Sequence, residues 1–330
     1  MNGWSRLIGL CVIGCSVAIL SPFITAAEEP AEERRPRVEL SAGTWFSVGD
    51  TRWAHNASSI PGLGNPTSKL TYKDVGTTVV DLTAKVWVTP RVFGRLNFGY
   101  AGIGGGRLTD DDFGSNGGQR LFSRTNSDLS GDNMWYLNAD GGFRVAEYPN
   151  HRGWLDLFGG YQFWHTKYEA TGVTLVACDP SVFPGSSCPP IGASGFQGQT
   201  VITNTTNWHS IRVGASTEYR LTRRLSVLAT LAFIPASLLD NKDVHHLRPD
   251  LSQDPSFSMV GYGVGADADV GARFMITTNL AANLGYRMYY NRVLSGHLTT
   301  HPAVGSTESF PLTQFESLRH GFTASLSLIF

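Results

Sequence analysis

The sequence predicts an all-β chain, a ten-stranded antiparallel transmembrane β-barrel with five long extracellular loops. Three observations predict it. Apolar residues recur at every second position rather than every 3.6. Short connections alternate with long ones along the chain, and the last alternating segment ends on an aromatic residue, Phe330. Successive side chains of a strand point to opposite faces. A period of two therefore gives one apolar face for lipid and one small or polar face for a wet lumen.

Residues 1–27 read as a secretory signal. Arg6 supplies the positive start, residues 7–24 are apolar apart from small residues and Pro22, and Thr25-Ala26-Ala27 precedes the acidic Glu28-Glu29. The rival reading is a single membrane anchor, since the apolar run approaches the roughly 18 residues a spanning helix needs. The small residues at its end and the lack of a following basic stop favour cleavage, which leaves 28–330 as one barrel domain. Removing Arg6 takes the 26 basic residues to 25 against 27 acidic ones, a formal charge of −2. That balance gives no reason to expect a nucleic-acid partner. Only 16 % of residues are charged, and no later segment is apolar enough for a spanning helix. A membrane crossing therefore has to be made by a closed sheet.

The strands follow in order. The opening one covers 38–46. In the second, Val80, Leu82, Ala84, Val86 and Val88 alternate with Val79, Asp81, Thr83, Lys85 and Trp87. After a tight turn at 89–91 the third covers 92–100. Further strands are expected at 135–145, 154–168, 208–221, 225–233, 258–272 and 280–290. In the tenth, His320, Phe322, Ala324, Leu326, Leu328 and Phe330 share one face, opposite Arg319, Gly321, Thr323, Ser325 and Ser327. A strand ending on Phe330 also fits the terminal signal read by the barrel assembly machinery, an expected partner. The short connections are 89–91, 147–153, 222–224 and 274–279. The long ones, 48–69, 102–132, 169–207, 234–257 and 291–318, then share the outer rim. A soluble β-sandwich would alternate too, but an even count, strands of ten or more residues and a signal segment argue against it.

Cys11 and Cys15 leave with the signal. Cys178 and Cys188 lie in a Pro/Gly/Ser-rich stretch of the third long connection, where a loop-closing disulfide is the preferred reading. A metal site there is weaker, because no His or further Cys is near. Catalytic sequence patterns are mostly missing: there is no Gly-x-Ser-x-Gly elbow, His-Glu-x-x-His helix or phosphate loop. The glycine-rich 102–106 has no following helix and reads as a flexible strand exit.

Two clusters stand out. Asp110-Asp111-Asp112-Phe113 follows the third strand, and Asp240-Asn241-Lys242-Asp243-Val244-His245-His246 follows the seventh. On extended backbone, residues two apart share a face. Asp110 therefore joins Asp112, and Asp243 joins His245, while Asp111 and His246 point away. A carboxylate beside an imidazole raises its basicity and orients it, and a facing carboxylate pair can hold a water. The plain alternative is a solvated acidic loop or a loose divalent-cation site, although the Ca²⁺-loop spacing is absent.

These motifs, in a barrel of this strand count, resemble the omptins, outer-membrane proteases of Gram-negative bacteria. That family carries Asp-x-Asp-aromatic in its second outer loop and Asp-x-His in its fourth. The resemblance implies an aspartic-type endopeptidase. Asp243 and His245 would form its general-base dyad, with Asp110 and Asp112 positioning the water. It implies a peptide or protein substrate and no metal or soluble cofactor, together with lipopolysaccharide on the outer barrel wall as a partner needed for activity. Omptins that cut beside basic residues place an Asp two positions before the dyad Asp. Here that position is Asn241, with Asp240 next to it and Asp50 the nearest acid in the first loop. Asp240 and Asp50 are the candidate substrate-binding residues, and a preference for basic peptides is an open expectation. The reading from a different class is a non-enzymatic barrel serving as an adhesin, a small pore or a structural element.

Overall fold

The computed structural model describes residues 37–114 and 118–330. The expected signal segment and the 27/28 boundary lie outside the described residues. Eleven strands form the sheet: β1 (Val38–His55), β2 (Leu63–Trp87), β3 (Val92–Gly114), β4 (Arg120–Leu129), β5 (Asn133–Glu147), β6 (Gly153–Cys178), β7 (Ser194–Arg220), β8 (Leu225–His245), β9 (Phe257–Met275), β10 (Leu280–Thr300) and β11 (Glu308–Ile329). β4 and β5 are two halves of one stave: β3 pairs first with β5 and then with β4, and β6 pairs with both. The staves therefore number ten. Every neighbour is antiparallel, and β1 pairs with both β2 and β11, so the ring closes and leaves no free edge.

The alternation sorts the residues as the lipid and lumen require. Val80 and Leu82 face outward while Val79 is enclosed on the inner face, and Phe322, Leu326 and Leu328 line the outer wall opposite buried Arg319 and Ser327. Inside the lower half, charges are paired. Lys85 and Arg144 both reach Asp156, at 2.8 and 3.0 Å, Arg95 reaches Asp140 at 2.8 Å and Arg287 reaches Asp81 at 2.8 Å. Lys85, Arg95, Asp140, Asp81 and Arg287 border a cavity of about 260 Å³. Above it the lumen is filled by aromatic rings. Trp164 stacks between Tyr136 and Tyr289, with centroids 4.9 and 4.1 Å away, and Tyr72 stacks on Tyr168 at 4.9 Å.

The connections differ from the expectation in one respect. Apart from β4 and β5, the two halves of one stave, the strands run from 18 to 27 residues, about twice the 9–11 that cross a bilayer, and most of each long connection is strand. Residues 48–55, 63–69, 102–114, 120–129, 171–178, 194–207, 234–245, 291–300 and 308–318 all continue the ladders. The physical reason is that above the lipid the outer face is wet. It carries residues such as Asp50 and Arg52, so the apolar/polar contrast that marks a strand in the sequence disappears.

The glycine-rich 102–106 is likewise not an exit but part of β3. Register shifts fall at Lys73/Gly76 and Gly76/Thr77 between β2 and β3, where Gly105 and Gly106 have φ of 142° and 154°. A Cβ on Gly106 would stand 3.0 Å from the Lys73 carbonyl oxygen. This bulge changes which parity faces inward. Ala101 and Ile103 are enclosed below it, Leu108 above it. β8 does the same between Ile234 and Ser237: Ala232 and Ile234 are enclosed below, Leu239 and Asn241 above.

Candidate active site

The bulges decide what the upper lumen contains. On β3, Leu108, Asp110 and Asp112 turn inward. Asp110 lies opposite Leu70 of β2 and Thr125 of β4, and Asp112 lies opposite Ser68 and Ser123. The Ser123 hydroxyl donates to Asp112 Oδ2 at 3.0 Å, and the Ser68 hydroxyl reaches Asp110 Oδ1 at 3.4 Å. Asp111 points out and is held by Arg124 through two bonds of 2.6 and 2.9 Å.

On β8, Asn241, Asp243 and His245 turn inward, whereas His246 lies on the outer side against Thr203 at 2.9 Å. The His245 Nε2 stands 2.8 Å from Asp243 Oδ2. A carboxylate can only accept, so in the neutral ring the proton sits on Nε2 and Nδ1 keeps its lone pair. Asp243 is fully enclosed. Its other oxygen accepts from Asn204 Nδ2 at 2.8 Å and, across the lumen, from the Tyr72 hydroxyl at 3.5 Å. The Asn241 amide donates to Asn204 Oδ1 and Thr206 Oγ1, both at 2.9 Å, which fixes the side chain that holds Asp243.

The two walls act on one another electrostatically. Burial, and then the charge of Asp112, push Asp110 up to about 8, and burial raises Asp112 as well. Burial pushes the His245 imidazolium down. The hydrogen bond and charge of Asp243, joined by the charges of Asp110 and Asp112, outweigh it and hold His245 above its ordinary value. Burial, then the charge of Asp243, raise Tyr72. Among the described residues no three His, Cys, Asp or Glu side chains are grouped so as to hold a metal ion.

Of the residues singled out in the sequence, Asp110, Asp112, Asp243 and His245 share this upper lumen. Asp50 and Asp240 do not. Asp50 binds Arg52 at 3.3 Å and the Asp74 amide at 3.0 Å on the outer wall. Asp240 meets Asn207 at 3.4 Å and alternates with the enclosed Leu239 and Asn241. Strand parity sends both away from any substrate in the lumen. Tyr72 and Asn204 touch Asp243, and His55 feels the charge of His245; the sequence revealed none of the three. Asn204 had the one available signal, an alternation with Thr206 and Trp208 continuing down β7.

Cys178 and Cys188 are disulfide-bonded, with Cα atoms 5.9 Å apart. The loop they close clasps the β3–β4 hairpin. The Asp179 amide donates to the Phe122 carbonyl at 2.8 Å, Phe183 packs edge-on against Phe122 at 4.9 Å, and Arg120 pairs with Asp179 at 3.0 Å.

Comparison with known proteins places the chain. The family model described as Pom, Protochlamydia outer membrane protein, matches residues 46–319. The chain belongs to this family. The barrel is an outer-membrane protein, and its ring of ten staves is similar to that of the outer membrane protease OmpT from Escherichia coli. That likeness has a TM-score of 0.71 at 14 % identity and covers 89 % of this chain and 96 % of that one. A FadL homologue from Pseudomonas aeruginosa (9 % identity, 88 % and 90 % covered) and the Pseudomonas putida toluene transporter TodX (8 %, 90 % and 92 %) align with TM-scores of only 0.31. No curated protein matches the chain.

Proposed function

We propose that this barrel is an outer-membrane endopeptidase that hydrolyses a peptide bond at its outer mouth with a water activated by His245. The observation that carries the reading is the 2.8 Å contact between His245 and the enclosed Asp243, with Asp110 and Asp112 close enough to act on it. Likeness in fold to the outer membrane protease from Escherichia coli supports the same reading.

The chemistry follows from the groups. His245 Nδ1 takes a proton from the water while Asp243 stabilises the imidazolium that forms. The water oxygen bonds to the peptide carbon, and the carbonyl electron pair moves to oxygen. When the C–N bond breaks, the leaving amine takes the proton from His245. Asp110 and Asp112 hold the water, and at neutral pH their raised values leave a proton on the pair that can be donated to the substrate. Lipopolysaccharide on the outer wall is the proposed activating partner, and no metal or soluble cofactor takes part.

Incubating the refolded barrel with lipopolysaccharide and a diverse peptide library tests this. Cleavage is expected, unaffected by chelators or serine-directed reagents, and His245→Ala should lower the rate by about 10²–10⁴-fold with the barrel intact. Wild-type protein that cuts no peptide, or a His245→Ala variant as fast as wild type, rejects the reading and leaves a non-enzymatic barrel.

A further inference from the structure

The inner wall carries a second imidazole. His55 of β1 lies opposite Ser68 of β2, and Ser68 lies opposite Asp112 of β3. Residues directly opposite in antiparallel strands hold their Cβ atoms about 4.5–5.5 Å apart. His55, Ser68 and Asp112 therefore form one row across the inner face, and Ser68 links that row to Asp110 through its hydroxyl. His55 is 8 % exposed, and its ring is flanked by Trp53 and Phe310, each with a centroid 6.2 Å away.

Its two nitrogens differ. Nδ1 is a buried nitrogen without a hydrogen-bond partner among the described residues, and Nε2 is not such an atom. A proton on Nδ1 would be an orphaned buried donor, which costs the desolvation of that group. A proton on Nε2 leaves no such orphan. Burial, and then the charge of His245, press His55 down to about 4, so the ring stays neutral at physiological pH and presents an N–H rather than a cation.

The proposed hydrolysis needs such a group. Attack by water puts negative charge on the carbonyl oxygen, and the other ionisable groups acting on this part of the lumen are Asp110, Asp112, Asp243, His245, Tyr72 and Arg248. Three are carboxylates, His245 is occupied as the base, the Tyr72 hydroxyl is given to Asp243, and the Arg248 guanidinium is held by Asp250 through two bonds of 2.8 and 2.6 Å. We propose that His55 is a further catalytic residue, whose Nε2–H donates a hydrogen bond to the carbonyl oxygen of the scissile peptide as it becomes an oxyanion. This rests on the endopeptidase reading. The bond is weak to the neutral carbonyl and strong to the oxyanion, so it favours the transition state over the bound substrate.

The test uses the fastest-cut peptide from the library and the full barrel in lipopolysaccharide. His55→Phe keeps a flat ring between Trp53 and Phe310 and removes the donor. It should lower kcat by about 10²–10³-fold, the usual cost of one oxyanion donor, with KM nearly unchanged. His55→Gln, which keeps an N–H, should recover part of that loss. If the Phe variant loses heat-modifiable migration, His55→Ala replaces it, and added imidazole should restore kcat. A kcat equal to wild type, or a change confined to KM, overturns the role of His55 while leaving the endopeptidase standing. A wild type that cuts nothing overturns both.

Discussion

At the scale of single residues the site sets stability against function. The folded value of Asp110, about 8, lies well above the ordinary 3.8. Between these values the folded protein holds a proton that the unfolded chain has released, so the stability Asp110 contributes is present below about pH 4 and is lost as pH rises to about 8. His245 has the same sign, because its folded value is also raised: its contribution is present below 6.5 and is lost as pH rises through the folded value. The temperature at which the barrel unfolds on a gel should therefore fall from pH 5 to pH 8. Asp110→Asn should flatten that fall and be more stable than wild type at pH 8, while losing most activity. A steeper fall in the variant would contradict the assignment. The rate should rise with pH along a limb displaced above 6.5, since His245 has to be neutral to accept a proton. Substrate choice belongs to this scale too. With Asp50 and Asp240 on the outer wall, the neutral Thr51 and Asn241 face inward near the dyad. Cut sites in the library should then show no preference for Lys or Arg, and a strong basic preference would point to an acidic group elsewhere.

At the scale of elements, what matters is how far strands carry the site above the lipid. β3 and β8 continue past the membrane, and each changes inward parity at a bulge before reaching its inward-facing pair, Asp110 and Asp112 or Asp243 and His245. β3 is steadied at its tip by the disulfide loop. Val182 is enclosed there, and a Cβ on Gly114 would stand 2.3 Å from it. A disulfide of this kind contributes about 2–4 kcal/mol, mainly by restricting the unfolded chain. Replacing Cys178 and Cys188 by Ser should therefore loosen the β3–β4 tip and slow peptide cleavage. The ring of staves below is held by ladders that do not involve this loop, so SDS-resistant migration should persist. Equal rates in the oxidised, reduced and double-Ser proteins would show that the clasp does nothing for Asp112.

For the whole molecule, closure is the dominant fact. Each stave is hydrogen-bonded on both sides, so the barrel should run anomalously in SDS until boiled, and identical migration with and without boiling would contradict it. The lumen is obstructed as well: ion pairs border the cavity of its lower half, and the stacked Tyr136, Trp164 and Tyr289 lie across its middle. Reconstituted into a planar bilayer, the protein should pass no steady ion current. Sustained conductance would favour the small-pore reading over the enzymatic one.

The sequence by itself determined the class, the ten staves, the lipid-facing residues and the pairing of Asp110 with Asp112 and of Asp243 with His245. All of these are local. A period of two within one strand sets which side chains share a face, and lipid on the outside makes that period visible as hydropathy. Tertiary structure alone decided the rest. Above the lipid, water lies on the outer wall, so strands such as 102–114 lost their hydropathy signature. The bulges at Gly105–Gly106 and between Ile234 and Ser237 inverted the phase that could have been extended from below. Tyr72 meets Asp243 from 171 residues away, and His55 joins the row of Asp112 only because β1, β2 and β3 pair in that register. Face is a property of neighbours along the chain, whereas convergence is a property of the closed ring.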